Sequence, residues 1–376
     1  MLDFIHLLEE TVKGNTHIEH PEDLVFILGS RGAQAAISAL NGVIARPEAI
    51  TIKWDGYPAL VFGRNHDGQL IIVDKHMFTK KDGSGRRVTS VEQFIAYDQA
   101  RGVNRADLYQ TLSILWKELN QSLPTNFRGY YWGDLLWINV PLVNNGEYVF
   151  QPNTVQYSIP VNSDLGKKIG RSKGGIVIHQ YMEDFDTPPQ TVTNGLQFNN
   201  STICILTSHI SEKINLKVPV QQEKKAVSTL QKYSGAVDKL VDKINLSSIK
   251  CTDLPQLMKT YVNSRLRGET RGFLDWIPEK LSVPKQQRLL GENKDGYLYQ
   301  NIQGVVGAFA ICDAITILKN NIVAQLDGQQ KTIKATVNGV SGGEGYVVNT
   351  GTGLIKLVNR SHFSAANFAK NMKLSK

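Results

Sequence analysis

The position best suited to covalent chemistry is Lys53, in the stretch Ile50-Thr-Ile-Lys53-Trp-Asp55-Gly56-Tyr-Pro-Ala-Leu-Val-Phe. One apolar run leads into Lys53 and a second, Ala59 to Phe62, leaves the turn, so the pattern is strand, tight turn, strand. A lysine amine attacks an electrophile only when neutral, and burial and neighbouring cations both favour that form. Gly56 has no Cβ and would let phosphates approach the backbone, and Asp55 joins it as a nucleotide-contacting candidate. Glu344 and Lys356 are charged residues in otherwise apolar strands, a costly placement unless a ligand or partner satisfies them. Asp134 follows a glycine in the aromatic stretch Tyr130-Tyr-Trp-Gly-Asp134-Leu-Leu-Trp137. Lys75, Lys80, Lys81, Arg86 and Arg87 surround Gly-Ser-Gly and read as a flexible basic arm, either solvated or clamped on phosphates. His17-Ile-Glu19-His20 lacks the spacing that puts two metal-binding histidines on one helical face, and reads better as a polar lead-in to a helix.

These residues need elements to hold them. Leu2–Leu8 and Ala33–Ile44 read as amphipathic helices, and Ile50–Asp74 as three strands with a hairpin at Asp67-Gly68. Residues 90–120 read as two helices, and 128–137, 148–157 and 174–179 as strands or strand and loop. From 211 to 334 helical patterns dominate, with 19 Lys and Arg against 12 Asp and Glu, so most of the net charge of +8 sits there. Arg265, Arg267 and Arg271 lie in that block near Trp276. Strand patterns return at 333–340, 342–348 and 354–358.

A hydrophobic content of 41% with 20% charged residues excludes a disordered chain. The basic balance favours a polyanionic partner such as nucleic acid. Cys204, Cys251 and Cys312 are far apart, which implies reduced structural thiols and a cytoplasmic setting. Acidic residues at once follow the opening apolar residues, so no signal peptide is expected. The apolar run Val305–Leu318 is interrupted by Asp313 and is expected to be a buried helix, with no membrane partner.

Four pieces fall in one order: K-x-D-G at Lys53, aromatic-x-Gly-acid-Leu at Asp134, E-G-x-V-V at Glu344, and the apolar strand carrying Lys356. This constellation resembles the covalent nucleotidyltransferase superfamily of ATP-dependent DNA ligases, RNA ligases and mRNA capping enzymes, and within it phage-type RNA ligases most. The resemblance covers roughly residues 47–210 and 335–376. It implies an α+β nucleotidyltransferase (ligase adenylation) fold, with antiparallel sheets flanked by helices and no C-terminal OB domain. The implied domains are an N-terminal helical segment (1–46), an adenylation domain (47–210 and 335–376) and an inserted basic helical domain (211–334).

By that resemblance Lys53 accepts AMP, Asp134 binds the ribose, Glu344 works at a Mg²⁺ ion, Lys356 contacts the α-phosphate and Lys75 meets phosphates or nucleic acid. Phe150 is the candidate ring for stacking on adenine, with Tyr148 as its rival. Asp134 stands where the family usually has Glu, and Leu354 and Val358 flank Lys356 where a second lysine is usual. The implied activity is an ATP- and Mg²⁺-dependent RNA ligase joining 5′-phosphate to 3′-hydroxyl ends, in the host cytoplasm if the chain is phage-encoded. RNA is favoured over DNA as the nucleic-acid partner. The alternatives are a DNA ligase, or a nucleic-acid-binding protein of the same fold without catalysis.

Overall fold

Apolar runs that alternate or run unbroken over four to ten residues become strands, and those at helical spacing become helices. A computed structural model describes residues 20–361, apart from 81, 193–194, 200–201, 211–212, 344 and 350–353. The helix expected at Leu2–Leu8 and the His17–Glu19 cluster lie outside these residues. The protein is α+β, with antiparallel and mixed sheets flanked by helices.

The strands run in chain order as β1 (Ile50–Ile52), β2 (Ala59–Arg64), β3 (Leu70–Asp74), β4 (Gly129–Ile138), β5 (Leu142–Asn144), β6 (Glu147–Phe150) and β7 (Gln156–Pro160). There follow β8 (Gly174–Met182), β9 (Gln190–Thr191), β10 (Ile203–Thr207), β11 (Lys334–Val337), β12 (Val340–Ser341), β13 (Tyr346–Asn349) and β14 (Leu354–Leu357). Among the described residues they make three sheets: β1-β13-β14; β10-β8-β4-β2-β3, with β9 beside β8; and β12-β11-β7-β6-β5.

The chain divides into two compact units, one of residues 1–51, 212–330 and 345–376, the other of 52–211 and 331–344. These boundaries differ from the expected ones in two respects. Helix Leu24–Ala45 does not stand apart but belongs with the helical block, and so do the described residues between 345 and 361. The segment 331–344 alone returns to the sheets of 52–211, because β11 pairs with β7.

In the sheet-rich unit, Leu60, Phe62, Ile72, Tyr131, Ile176 and Ile178 form one core with Phe94 of helix Val91–Ala100 and with Leu112, Leu115 and Leu119 of helix Ala106–Ser122. β2 and β3 are almost wholly buried, which accounts for their unbroken apolar runs. Asn65–Gly68 turns β2 into β3 as an antiparallel hairpin. The expected basic arm is folded rather than loose. Lys75–Phe78 and Ser84–Arg87 are helical turns, and Arg86 donates to the Phe78 carbonyl and pairs with Asp186 at 2.8 Å.

In the helical unit, helices Val220–Val241 and Ile302–Gln329 pack against each other and against Leu24–Ala45. Helix Ile302–Gln329 is the one described helix long and apolar enough to cross a membrane, and Val305, Ala308, Ile311, Ile315, Leu318 and Ile322 along it are buried. Helix Leu24–Ala45 is broken at Gly29, whose φ is 61°. Asp238 caps the restarted helix, accepting from the Ser30 amide and hydroxyl, each at 2.7 Å. All three cysteines are buried and free.

Candidate functional site

Lys53 sits in a turn held on every side. Asp55 donates its amide to the Tyr157 hydroxyl at 2.7 Å. Its carboxylate accepts from Asn153 Nδ2 at 2.7 Å and from the Thr154 and Val155 amides at 2.6 and 2.8 Å. Trp54 lies against Tyr157 with ring centroids 4.8 Å apart. Beyond the turn, the Tyr57 amide donates to the Leu135 carbonyl at 2.9 Å and the Leu135 amide to the Pro58 carbonyl at 3.1 Å. Gly56 is required by close approach, since a Cβ there would lie 2.4 Å from the Cβ of Asp134.

This turn forms one wall of a cavity of about 470 Å³. Residues 53–59 line it from the turn and the start of β2, Asp74 from the end of β3, and Lys75 and His76 from the helical turn that follows; Arg105 and Asp134 complete it. Lys53 is half-buried and Lys75 exposed. Asp74 caps the Lys75–Phe78 turn, accepting from the Met77 amide at 2.8 Å, and pairs with Arg105 at 2.7 Å. Arg105 also pairs with Asp98, whose carboxyl lies below its usual range: burial opposes that shift, and hydrogen bonds from Arg101, Arg105 and Tyr109 outweigh it. Asp134 reaches the wall from β4, where Ala59 of β2 stands opposite it. Its Oδ2 meets His179 Nε2 at 3.1 Å, and His179 Nδ1 meets Ser208 Oγ at 3.0 Å.

Of the residues singled out in the sequence, Lys53, Asp55, Gly56, Lys75 and Asp134 therefore line one cavity. Asp55 lines the cavity and also fastens the turn, with both carboxylate oxygens bonded to the 153–155 segment. Phe150, the ring expected to stack on adenine, lies away from the cavity. It is buried between Trp137 and Tyr157, at centroid distances of 4.7 and 5.5 Å. Tyr148 lies against Gly170 instead. Tyr57, by contrast, presents an exposed phenol ring at the cavity and is 63% accessible. Glu344 lies outside the described residues. Lys356 belongs to the helical unit, in β14 opposite Val347.

Trp54, Tyr57, Asp74, His76 and Arg105 at the cavity, and His179 and Ser208 behind it, are site residues the sequence did not reveal. Tyr57 adjoins K-x-D-G and could have been found by that adjacency; His179 ends the apolar run Gly174–Ile178 as a single polar residue. The arginines near Trp276 are largely engaged on the surface. Arg265 pairs with Asp313 at 3.2 Å, Arg271 with Glu269 at 2.8 Å and with Glu279, and Arg267 donates to the Asn263 carbonyl.

Among the described residues no cluster of three or more His, Cys, Asp or Glu is arranged to hold a metal. The cavity's carboxylates are each engaged within the protein, so these residues do not by themselves fit a protein-held Mg²⁺.

A protein-family model described as a family of unknown function (DUF6267) matches residues 15–373. No curated protein and no solved structure matches the chain.

Proposed function

We propose that this chain, which belongs to the DUF6267 family of unknown function, is an ATP-dependent polynucleotide ligase that forms a lysyl-AMP intermediate, with RNA ends favoured over DNA ends as substrate. The observation that carries the reading is the Lys53 turn, braced by Tyr157 and Asp55, at a cavity that Lys75 and Asp134 also line. A braced turn fixes where an amine points, and fixed geometry is most of what in-line attack on phosphorus requires. The sheet β10-β8-β4-β2-β3, with the lysine turn leading into β2 and the acidic residue on the neighbouring β4, supports a nucleotidyltransferase-type fold as part of the same reading.

In the proposed reaction Lys53 Nζ attacks the α-phosphorus of ATP, a P–N bond forms and pyrophosphate leaves with the electron pair of the broken P–O bond. The adenylyl group then passes to a 5′-phosphate, and a 3′-hydroxyl attacks that activated end with release of AMP. Lys75 and Arg105 supply positive charge along the cavity, Tyr57 offers a ring face, and Asp134 offers an acceptor for a sugar hydroxyl. Mg²⁺ would arrive on the nucleotide's phosphates and neutralise their charge.

Incubation with α-labelled ATP and Mg²⁺ tests the reading. The wild-type protein should acquire label stable to denaturation, γ-labelled ATP should leave none, and Lys53→Ala should abolish transfer. Label acquired undiminished by Lys53→Ala would overturn the reading. Reversible ATP binding without transfer would favour a nucleotide-binding protein without catalysis.

A further inference from the structure

The carboxylate that faces the cavity is held from behind by residues no sequence motif connects. Along the β4–β8 pair the register shifts, so that Trp132 stands opposite Gln180 and Gly133 opposite Ile178. His179 is therefore the extra residue of a β-bulge, a device that re-aims a side chain. The parallel neighbour β10 has Thr207 level with Ile178, which brings the next residue, Ser208, level with His179.

The result is a chain of contacts: Asp134 Oδ2 to His179 Nε2 at 3.1 Å, and His179 Nδ1 to Ser208 Oγ at 3.0 Å. An ionised carboxylate only accepts, so the proton between the first pair belongs to Nε2. In the neutral imidazole Nδ1 is then the acceptor, and the Ser208 hydroxyl donates to it. Ser208 also accepts, through its carbonyl, the amide of Ile52 at 2.7 Å. One residue thus fastens both the strand end that precedes Lys53 and the imidazole that restrains Asp134. On the other side Gly56 abuts the Asp134 Cβ, so the carboxylate is confined from two directions.

We infer that His179, backed by Ser208, is a positioning residue that fixes the Asp134 carboxylate as an acceptor for sugar hydroxyls, making the cavity selective for ribonucleotides over their deoxy analogues. This rests on the nucleotide reading of the cavity. A free Asp side chain samples several rotamers and a site with one acceptor discriminates only while that acceptor is in place. A hydrogen bond to a charged acceptor corresponds to roughly a ten- to hundredfold difference in affinity.

The test is equilibrium binding of ATP and 2′,3′-dideoxyATP to wild type, His179→Ala, His179→Gln and Ser208→Ala, with the α-label assay run alongside. The wild type should prefer ATP by about tenfold or more. His179→Ala should bring the two affinities within about threefold of each other by weakening ATP, and Ser208→Ala should narrow the gap less. His179→Gln, whose amide N–H can still reach Asp134, should keep most of the preference. Both nucleotides are measured on one sample, so a loss of folded protein does not move the ratio. A wild-type ratio in His179→Ala, or an equal loss of both nucleotides, would overturn the inference while leaving lysyl-AMP formation by the wild type intact. A wild type that neither binds ATP nor takes label would overturn the functional reading, and this inference with it.

Discussion

At the scale of single residues, the site depends on contacts too short to admit substitution. Gly56 is the plainest case. A methyl group there would lie 2.4 Å from the Asp134 Cβ and 2.9 Å from the Leu135 carbonyl oxygen, and neither is the far end of a flexible chain. Gly56→Ala must therefore push the lysine turn away from β4. The expected cost is about 1–3 kcal/mol, the usual range for overpacking. A urea midpoint unchanged from wild type would show that the turn yields without strain. The same scale explains the aromatic residues. Trp54 and Phe150 both touch Tyr157 and are buried, whereas Tyr57, three residues after Trp54, is left at the surface. Side-chain type alone does not separate these rings; their place relative to the sheet does.

At the scale of elements, the helical unit contains a buried ionic group that the polar lead-in expected around His17–His20 did not foreshadow. Glu22 pairs with Lys319, and Arg360 bonds Asp23 at 2.8 Å, Glu22 at 3.4 Å and Asn263 at 2.6 Å. These contacts fasten the turn before helix Leu24–Ala45 to helix Ile302–Gln329 and to the segment after β14. Burial acts to raise the Glu22 carboxyl, but Lys319, His20 and Arg360 outweigh it and bring it down to about 2. Removing one member of such a group leaves a buried charge poorly compensated. Lys319→Met should accordingly cost about 3–5 kcal/mol, read from urea unfolding followed by helical ellipticity. Replacing Lys319 and Glu22 together by apolar residues should recover much of it. A single variant as stable as wild type would show that Arg360 alone satisfies Glu22.

At the scale of the whole molecule, the same group should make stability depend on pH. Burial drives the His20 imidazole well below its ordinary value of 6.5. The unfolded chain then takes up that proton first, and stability falls as pH drops below about 6.5. Glu22, depressed from 4.5 to about 2, contributes stability above pH 4.5 that is lost as pH falls toward 2. Asp23 acts in the opposite sense. Burial and Glu22 outweigh Arg360 and push it up to about 6, so its ionisation costs stability that is regained as pH falls from 6 toward 3.8. His20→Asn isolates the first effect. Between pH 7 and 5 the wild type should lose ground to this variant by up to about 1.4 kcal/mol per pH unit. Parallel pH profiles for the two proteins would remove His20 from the account. Net charge also belongs to this scale. The excess of Lys and Arg over residues 211–334 stands in the sequence, yet Arg265 and Arg271 face carboxylates, and exposed pairs of that kind contribute little.

Features that depend on neighbours along the chain are legible in the order of the amino acids. Unbroken apolar runs specified β2, β3 and the start of β8, Asp67-Gly68 specified the hairpin, and helical patterns over 211–334 specified that block's helical character. K-x-D-G marked the turn at Lys53 because a strand, a turn and a strand are each local. The remainder follows from contacts between distant segments. Whether Asp55 faces a ligand or the 153–155 segment depends on a contact about a hundred residues away, and no local pattern records it. The Asp134–His179–Ser208 chain exists only because a bulge advances β8 by one residue against β4 while β10 runs parallel on its other side. A shift of one residue in a strand sends every side chain to the opposite face, so the partners of a polar residue are set by register, and register is fixed by the packing of the whole sheet.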